Sequence, residues 1–469
     1  MKSHQRSRPR ISVVALATAV LATWSPGTGA QAVDSVSVSG SVEWVNESID
    51  HFPDRVVIQS RYDPTFVRAV PVDTAGTYTA MLPAGSYRIR PFSTYHWQRD
   101  WDQGFVRIDE STSFVDAELS AGPPAELPAL ALDTLGHADR LPEEGILLGP
   151  FGREEADALD AFVTDNLSYY GVPGASLAII KDGAVLYARS YGVENPLTDE
   201  PVDETTLFEA GSITKPVFAF AVMRLVERGL LDLDRPLYEY LPFDDVAHDD
   251  RYKRITARHV LSHQTGFPNW AERDSTGRFD LLFTPGTQFG YSGEGFEYLK
   301  RVVVHLLDKD IEAVLQDELI VPLGLEGFHF HTTDYVRAHA TDGFYRGEPS
   351  RTRHVEEPMM AYSLMTNAGY FTAFALALRD RDGLSEATYD EMFRSQVEVN
   401  DEISRGLGFE LREDEVGAFY GHTGITRDFA SIYRYYPDLD VGFVFFVNNI
   451  TGGWLALNTL KQFLVTGKP

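Results

Sequence analysis

Two predicted strand pairs, far apart in the sequence, constrain the fold of this chain more than any other pattern. Residues 175–180 and 184–191 show a hairpin pattern around the turn Lys181-Asp182-Gly183. Residues 429–436 and 441–448 form a second pair, close to the end of the 469-residue chain. The periodicity between the two pairs is mainly helical. We therefore predict an α+β fold, in which distant segments close one antiparallel sheet around a mostly helical insertion.

Three helices are predicted from apolar residues at helical spacing. They cover residues 154–169, 217–229 and 454–465, and the second is strongly apolar and ends at a glycine. Together with the strands they define a unit at residues 148–469, which at about 320 residues is long enough for a large core.

The first residues have the pattern of an export signal. A short apolar stretch at residues 11–23 is followed by the small-residue triplet Ala30-Gln31-Ala32, and four basic residues precede it: Lys2, Arg6, Arg8 and Arg10. This order predicts a signal peptide at residues 1–32 and an exported protein, periplasmic or secreted. An uncleaved membrane anchor is the alternative, but the stretch is shorter than the roughly 20 residues that a spanning helix needs. We expect no transmembrane anchor in the mature chain.

Residues 33–120 alternate apolar and polar positions between turn residues, which predicts short antiparallel strands. The stretches Gly76-Thr77-Tyr78 and Leu82-Pro83-Ala84-Gly85-Ser86-Tyr87 repeat one turn-and-strand pattern. This segment resembles the carboxypeptidase regulatory-like β-sandwich family, which implies a spacer or interaction module. Prolines in residues 121–147 predict a linker to the second unit.

Composition excludes several kinds of chemistry. The chain has no cysteine, so disulfides, thiolate metal sites, a cysteine nucleophile and a lipidated cysteine are all excluded. Its formal net charge of -28 would repel a phosphate backbone, so we expect no nucleic-acid partner. Oligomeric state is not determined by these patterns.

The segment Ser212-Ile213-Thr214-Lys215 lies just before the apolar helix and is the sharpest local motif. A serine at a helix start sits at the positive end of the helix dipole, beside free backbone N–H groups. A desolvated lysine one turn later can accept the proton of that serine, which makes the hydroxyl a nucleophile. Taken alone, the motif is better explained by an N-cap serine followed by a surface lysine, since serine caps are common.

Two further motifs follow in order, and together the three carry a family resemblance. They are Tyr291-Ser292-Gly293, after a turn, and His422-Thr423-Gly424, before the last strand pair. With these motifs and supporting stretches at residues 230–242 and 260–266, the chain resembles the serine β-lactamase-like hydrolase superfamily. That superfamily includes class C β-lactamases, penicillin-binding proteins, D-amino-acid peptidases and esterases. The resemblance covers most of residues 150–460.

The resemblance implies a role for each matching residue. Ser212 would be the acylated nucleophile, Lys215 would hold or accept its proton, and Tyr291 would act with the lysine as general base. The backbone N–H groups of Ser212 and Ile425 would form the oxyanion hole. The substrate and oxyanion pocket would be lined by His422, Thr423, Gly424 and Ile425.

Two departures from the class C pattern change the expected substrate. Gly293 replaces an asparagine that contacts the amide side chain of the substrate, and His422 replaces a lysine that binds a carboxylate. Histidine is mostly neutral near pH 7. We therefore expect an exported serine hydrolase that cleaves an ester or amide of a small-molecule or peptide acyl substrate. The alternatives are a D-amino-acid peptidase or weak β-lactamase, and a non-catalytic acyl-binding sensor of the same fold.

Histidine pairs offer a different hypothesis, a metal-dependent hydrolase. His259 and His263 are four residues apart, and His329 and His331 alternate on a predicted strand. Neither pair has the H-E-x-x-H pattern of a zinc site. We expect no metal and no cofactor.

Overall fold

The computed structural model describes residues 151–466 except 197, 346–347, 351–353, 401 and 415. It also describes residue 149 and several strands and turns between residues 35 and 132. The predicted signal peptide at residues 1–32 lies outside the described residues.

A nine-stranded antiparallel sheet forms the centre of the second unit. Its nine strands are β9 (Gly174–Lys181), β10 (Ala184–Asn195), β11 (Glu200–Pro201), β16 (Val397–Glu398), β17 (Ile403–Arg405), β18 (Glu410–Glu413), β19 (Ala418–Ile425), β20 (Ala430–Tyr436) and β21 (Val441–Val447). Their order in the sheet is β11-β10-β9-β21-β20-β19-β18-β17-β16. The early hairpin β9-β10 joins the late pair β20-β21 through antiparallel pairing of β9 with β21. The predicted closure of one sheet by distant segments is confirmed.

Helices surround this sheet. They are α1 (Arg153–Tyr170), α2 (Thr214–Glu227), α3 (Ala257–Leu261), α4 (Gly293–Leu307), α5 (Ile311–Leu315), α6 (Val321–Leu323), α7 (Asp334–His339), α8 (Ala368–Asp380), α9 (Glu386–Phe393) and α10 (Ile450–Thr466). Most of them lie between the two strand pairs in sequence, as predicted. Two-stranded ladders join β12 (Phe208–Glu209) to β15 (Met365–Thr366) and β13 (Gly343–Tyr345) to β14 (Glu348–Ser350).

Alternate side chains along the central strands belong to two different hydrophobic clusters. On β9, Leu177 and Ile179 belong to a cluster that includes α1 and α10, whereas Ala178 and Ile180 belong to the cluster around α2 and α8. Alternate side chains of a strand point to opposite faces of its sheet. Helices therefore cover both faces of the sheet, which is why β9, β20 and β21 are buried along almost their whole length.

The helix that carries the S-x-x-K motif begins earlier than predicted. The prediction placed its start at residue 217, but α2 begins at Thr214, directly after a 3-10 turn at Gly211–Ile213. Pro216 is tolerated because the first turn of a helix needs no N–H donor from it. Lys215 therefore lies inside the helix, and Ser212 lies in the turn that leads into it.

The described residues of the N-terminal region form two four-stranded sheets. Their strands are β1 (Ser35–Trp44), β2 (Arg55–Ser60), β3 (Val67–Pro71), β4 (Thr77–Pro83), β5 (Gly85–Phe92), β6 (Val115–Leu119), β7 (Ala125–Glu126) and β8 (Leu130–Leu132). Both β7 and β8 pair in parallel with β1, so strands continue into residues 121–147, the predicted linker. The sandwich arrangement of the two sheets and the domain boundaries stay predictions.

Candidate active site

Ser212 and Lys215 lie within hydrogen-bond distance at the start of α2. The ammonium nitrogen Nζ of Lys215 lies 3.1 Å from the hydroxyl oxygen Oγ of Ser212 and donates to it. Ser212 is half-buried, whereas Lys215 is only 1% exposed. The alternative of a surface lysine after an N-cap serine is wrong, because the lysine is buried and the N-cap of α2 is Ile213.

The second partner of Lys215 is a backbone carbonyl that the sequence did not indicate. Its Nζ donates to the carbonyl oxygen of Ala361 over 2.7 Å. The rings of Tyr291 and Phe296 lie 4.8 Å and 5.5 Å from the same nitrogen. Among the described residues, no carboxylate forms an ion pair with Lys215. The lysine is therefore held by a hydroxyl, a carbonyl and two aromatic faces rather than by a counter-ion.

A buried carboxylate fixes the segment that contains Ala361. Glu297, on α4, accepts a hydrogen bond from the backbone N–H of Ala361 over 2.9 Å. Glu297 is 5% exposed and forms an ion pair with Lys300 at 2.8 Å. The Ala361 peptide thus links Glu297 on one side to Lys215 on the other.

Tyr291 is positioned by the start of α4. The next residue, Ser292, is the N-cap, and its hydroxyl accepts a hydrogen bond from the N–H of Gly295 over 3.1 Å. The Tyr291 ring stacks on the imidazole of His263, with the ring centres 4.1 Å apart. The structure therefore brings the second motif to Lys215.

His263 is a buried histidine that supports Tyr291. Its Nδ1 accepts a hydrogen bond from the backbone N–H of Ser292 over 3.1 Å. Burial lowers its pKa well below the usual value, and the nearby charges of Arg405 and Lys215 act in the same direction. Within the described residues, no cluster of three or more histidine, aspartate and glutamate side chains is arranged to hold a metal ion.

The third motif lies on β19, directly against the turn that carries Ser212. A Cβ atom added to Gly211 would lie 2.9 Å from the backbone nitrogen of Ile425. A Cβ atom added to Gly424 would lie 1.9 Å from the carbonyl oxygen of Ala210. Glycine at both positions allows this close approach. The backbone nitrogen of Ile425 is consequently a neighbour of the Ser212 turn, and half-buried Thr423 lies between His422 and this contact.

His422 presents a neutral imidazole to the site. Its Nδ1 lies 2.6 Å from the carbonyl oxygen of Thr423, so Nδ1 carries the hydrogen and donates it. Burial and the charges of Arg405 and Lys215 lower the pKa of His422 well below its usual value. Its other nitrogen, Nε2, is buried and has no hydrogen-bond partner among the described residues. His422 therefore offers an unshared electron pair where a lysine would offer a positive charge.

Steric crowding explains why position 293 is a glycine. A Cβ atom at this position would lie 2.8 Å from the indole ring of Trp270 and 3.1 Å from the carbonyl oxygen of Asn269. Its φ angle is not in the left-handed region, so the backbone does not require glycine there. The space of an asparagine side chain is occupied by the segment around Trp270.

Several residues of the site carry no motif signal. Ala361 acts through its backbone, and the neighbours Glu297, Trp270 and Tyr362 belong to segments that the motifs do not include. Only a helical pattern after Tyr291 could have indicated that Glu297 faces the same core as Phe296. The three predicted motifs are brought together, whereas these supporting residues are found only in the structure.

Comparison with known proteins agrees with this arrangement. The sequence model of the family described as Beta-lactamase matches residues 159–456, which is well over half of the chain. The chain belongs to the beta-lactamase family. The matched range includes all three motifs and the strands at both ends of the central sheet.

The relatives of this beta-lactamase-family chain include a protein named as an esterase and one named as a beta-lactamase. It is 28% identical to esterase EstB of Burkholderia gladioli over 232 residues, 44% of this chain and 59% of that protein. It is 22% identical to a beta-lactamase of Pseudomonas fluorescens over 345 residues, 62% of this chain and 92% of that protein. The matched region of the chain covers between two fifths and three fifths of the length of several curated relatives, which include EstB.

The fold is also that of solved structures. An octameric penicillin-binding protein homologue from Pyrococcus abyssi matches with a TM-score of 0.58 and 22% identity, over 66% of this chain and 77% of that one. The predicted β-lactamase-like fold is confirmed. In the described part of the chain, no helix combines the length and apolar character that crossing a bilayer requires.

Proposed function

We propose that this chain is a serine hydrolase that cleaves esters through a covalent acyl intermediate on Ser212. The observation that carries the proposal is the buried Lys215, whose Nζ lies 3.1 Å from Ser212 Oγ and has no carboxylate counter-ion among the described residues. A lysine that contacts only neutral oxygens is able to exchange a proton with the serine. Family membership and the esterase and beta-lactamase names of relatives agree with this chemistry.

In the acylation step, Ser212 Oγ attacks the carbonyl carbon of the substrate. Its proton passes to the basic pair formed by Lys215 and Tyr291, and the carbonyl oxygen becomes an oxyanion. The backbone N–H groups of Ser212 and Ile425 donate hydrogen bonds to that oxyanion, which stabilises the developing charge. The tetrahedral intermediate then collapses, the bond to the leaving oxygen breaks, and the proton returns from the basic pair to the leaving alcohol.

Deacylation repeats these steps with water as the nucleophile. The Lys215 and Tyr291 pair removes a proton from water, and the resulting hydroxide attacks the acyl carbon. The bond to Ser212 Oγ breaks, the acid is released, and the serine recovers its proton. No metal or cofactor is needed at any step, since every proton and electron pair is supplied by substrate, water and side chains.

The neutral His422 and the filled space at Gly293 favour esters over acidic amide substrates. His422 lacks a positive charge because burial and neighbouring cations lower its pKa. The asparagine that would contact a substrate amide is replaced by Gly293, and its space is filled. Both changes leave the nucleophile and its basic partners in place, so an ester with a neutral acyl group is the substrate class that fits best.

We also propose that the protein is exported. This proposal depends on the signal-like pattern of residues 1–32 in the sequence. Expression of the full chain followed by N-terminal sequencing of the secreted protein tests it. A mature N-terminus at Val33 is expected, whereas retention of residues 1–32 in a cell-associated protein would contradict export.

Hydrolysis of p-nitrophenyl esters tests the enzymatic proposal. The wild type should release p-nitrophenol with saturation kinetics, and Ser212→Ala should lower kcat by about a thousandfold or more. The matched control is Ser275→Ala, because Ser275 is exposed and is no part of the proposed machinery. Equal ester hydrolysis by wild type and Ser212→Ala would reject the proposal, and tight acyl-ligand binding without turnover would favour a sensor instead.

A further inference from the structure

Arg405 is a mostly buried cation near the candidate active site, and the proposed mechanism gives it no role. It is the last residue of β17, outside all three motifs, and its side chain is 13% exposed. The guanidinium of an arginine stays protonated in proteins. A permanent positive charge is therefore held here, and the groups around it determine what it acts on.

A row of aromatic rings connects this charge to the proposed basic pair. The guanidinium carbon of Arg405 lies 5.5 Å from the centre of the Phe289 ring. Phe289 meets the imidazole of His263 edge to face, with the ring centres 6.0 Å apart. His263 stacks on Tyr291, whose ring centre lies 4.8 Å from the ammonium nitrogen of Lys215. Each group packs against the next, so the row leads from the arginine to the basic pair.

The hairpin that carries Arg405 packs directly on α2. In the turn between β17 and β18, the N–H of Gly408 donates to the carbonyl oxygen of Leu261 over 2.8 Å. A Cβ atom added to Gly408 would lie 2.4 Å from the Cβ of Ala219 and 3.6 Å from the carbonyl oxygen of Lys215. The helix that holds the lysine and the hairpin that holds the arginine are therefore fixed against each other.

The charge of Arg405 is only partly balanced. Glu410 lies opposite Arg405 on β18, and an oxygen of its carboxylate lies 3.4 Å from the guanidinium. A charge-assisted hydrogen bond is shorter, at about 2.7 to 2.9 Å. The Nε–H of Arg405 is buried and has no acceptor among the described residues. Glu410 therefore neutralises the guanidinium incompletely, and the remaining field is strong because the surroundings are buried.

Two buried imidazoles respond to this field. Burial is the largest cause of the lowered pKa of His263 and His422, and the charge of Arg405 is the next. The charge of Glu297 on α4 is balanced by Lys300, which lies 2.8 Å from it. The remaining titratable and charged groups around the imidazoles come from several elements: Lys215 on α2, Tyr291 before α4, Arg405 on β17 and Glu410 on β18. Arg405 is thus the fixed cation with the largest effect on this part of the site.

From these contacts we propose that Arg405 is a positioning residue, whose fixed charge keeps the basic pair of Lys215 and Tyr291 ready to accept a proton. This role rests on the proposed ester hydrolysis and adds a residue to its machinery. The pair takes the proton of Ser212 only while it lacks that proton itself, and a nearby cation makes additional positive charge unfavourable. Arg405 thus extends the activity toward acidic pH, while Glu410 limits this effect.

The pH profile of kcat/KM for p-nitrophenyl acetate tests this role. Its acid limb reports the protonation of the base in the free enzyme. Arg405→Met removes the charge, so the midpoint of the limb should move to higher pH by about 0.5 to 1 unit, which lowers kcat/KM on the limb by about three- to tenfold. Arg405→Lys keeps a positive charge and should retain most of the wild-type midpoint. A purely structural arginine would lower the activity at all pH values without moving the midpoint.

Glu410→Gln tests the same role in the opposite direction. It removes the balancing negative charge and keeps a side chain of similar size, so the midpoint should move to lower pH by about half a unit. The matched control is Arg412→Met, because Arg412 lies on the same hairpin, is 15% exposed and pairs with Glu402 over 2.9 Å. This control should leave the midpoint in place. Wild-type midpoints in both Arg405→Met and Glu410→Gln, or shifts in the same direction, would overturn the role of Arg405.

Failure of this role is distinguishable from failure of the proposed function. The rate at which a fluorophosphonate labels Ser212 gives a pH profile without ester turnover. Acid limbs of labelling that coincide in wild type, Arg405→Met and Glu410→Gln would overturn the role of Arg405 alone, whereas no labelling of Ser212 at any pH would overturn the proposed function. If Arg405→Met does not fold, a shift to lower pH in Glu410→Gln still supports the role, and no shift overturns it.

Discussion

His263 and His422 are two buried imidazoles beside Tyr291, and both are neutral in the folded protein. Desolvation is the largest cause of the lowered pKa in each case, and Arg405 is the strongest nearby charge. The motif patterns predicted that His422 lines the pocket. They did not predict that its Nδ1 is committed to the carbonyl of Thr423, because a sequence does not show which nitrogen of a histidine finds a partner.

The two lowered pKa values make the stability of the protein pH-dependent. In the unfolded chain a histidine binds a proton below about pH 6.5, whereas the buried imidazoles do not. The contribution of each histidine is therefore complete above about pH 6.5 and is lost as the pH falls. We expect the free energy of unfolding to decrease by up to about 1.4 kcal/mol per pH unit for each of the two groups.

Urea unfolding between pH 7.5 and pH 5.5 checks this expectation. His422→Gln should show a shallower pH dependence than the wild type by about one proton equivalent. Leu282→Ala is the control, because Leu282 is exposed and carries no titratable group, so its substitution should leave the slope unchanged. An identical slope for wild type and His422→Gln would show that His422 is not held neutral by the fold.

At the level of elements, the site depends on how closely β19 approaches the turn before α2. The motifs on these two elements were predictable, because each is a short local pattern of residue types. Their contact was not, since it depends on Gly424 and Gly211 meeting across the fold without side chains. The late start predicted for α2 has a similar cause, because the periodicity does not distinguish the 3-10 turn from a loop.

Gly424→Ala should strongly lower the activity by separating these two elements. The added methyl would lie 1.9 Å from the carbonyl oxygen of Ala210, so β19 must move away from the Ser212 turn and the Ile425 nitrogen with it. We expect kcat for ester hydrolysis to fall by about a hundredfold or more, the size seen when an oxyanion donor is removed. Gly149→Ala is the control, since nothing lies within 4 Å of its added methyl. Full activity in Gly424→Ala would contradict the proposed oxyanion hole.

Glu297 positions Lys215 through the Ala361 peptide. Substitutions of Glu297 distinguish this effect on kcat from a general loss of stability. Glu297→Ala leaves the Ala361 N–H without its acceptor, so we expect kcat to fall by about tenfold with KM little changed. Glu297→Gln keeps an acceptor oxygen and should restore most of kcat. Glu318→Ala removes another buried carboxylate, which pairs with Arg224 and Arg228, and should lower stability while active molecules keep their kcat. Equal kcat in Glu297→Ala and wild type would reject the positioning role.

At the level of the whole molecule, segments from both ends of the second unit depend on each other. The side chain of Asn448, at the end of β21, accepts from the N–H of Gly174 over 2.8 Å and donates to Thr341 over 3.0 Å. Its amide group also lies within hydrogen-bond distance of the carbonyl oxygens of Val193 and Glu194. The strand patterns predicted that the two ends meet, but this buried amide network has no sequence signal because a single asparagine is common in turns.

Replacing Asn448 should destabilise the fold without changing the chemistry. Asn448→Ala leaves several buried backbone and hydroxyl groups without partners, so we expect a loss of about 2 to 4 kcal/mol in the free energy of unfolding. Thermal and urea denaturation measure this loss, and the kcat of the remaining folded protein should be close to that of wild type. A stability equal to wild type would show that the network is not important for closing the sheet.

The proposed function depends on a covalent acyl intermediate that Ser212 forms with help from Lys215. Intact mass spectrometry after incubation with a fluorophosphonate, followed by peptide mapping, detects the corresponding adduct on the protein. We expect one adduct per chain, located on Ser212, absent in Ser212→Ala and strongly slowed in Lys215→Ala, with Ser275→Ala labelled like wild type. An adduct on another residue, or equal labelling of wild type and Ser212→Ala, would show that Ser212 is not the nucleophile.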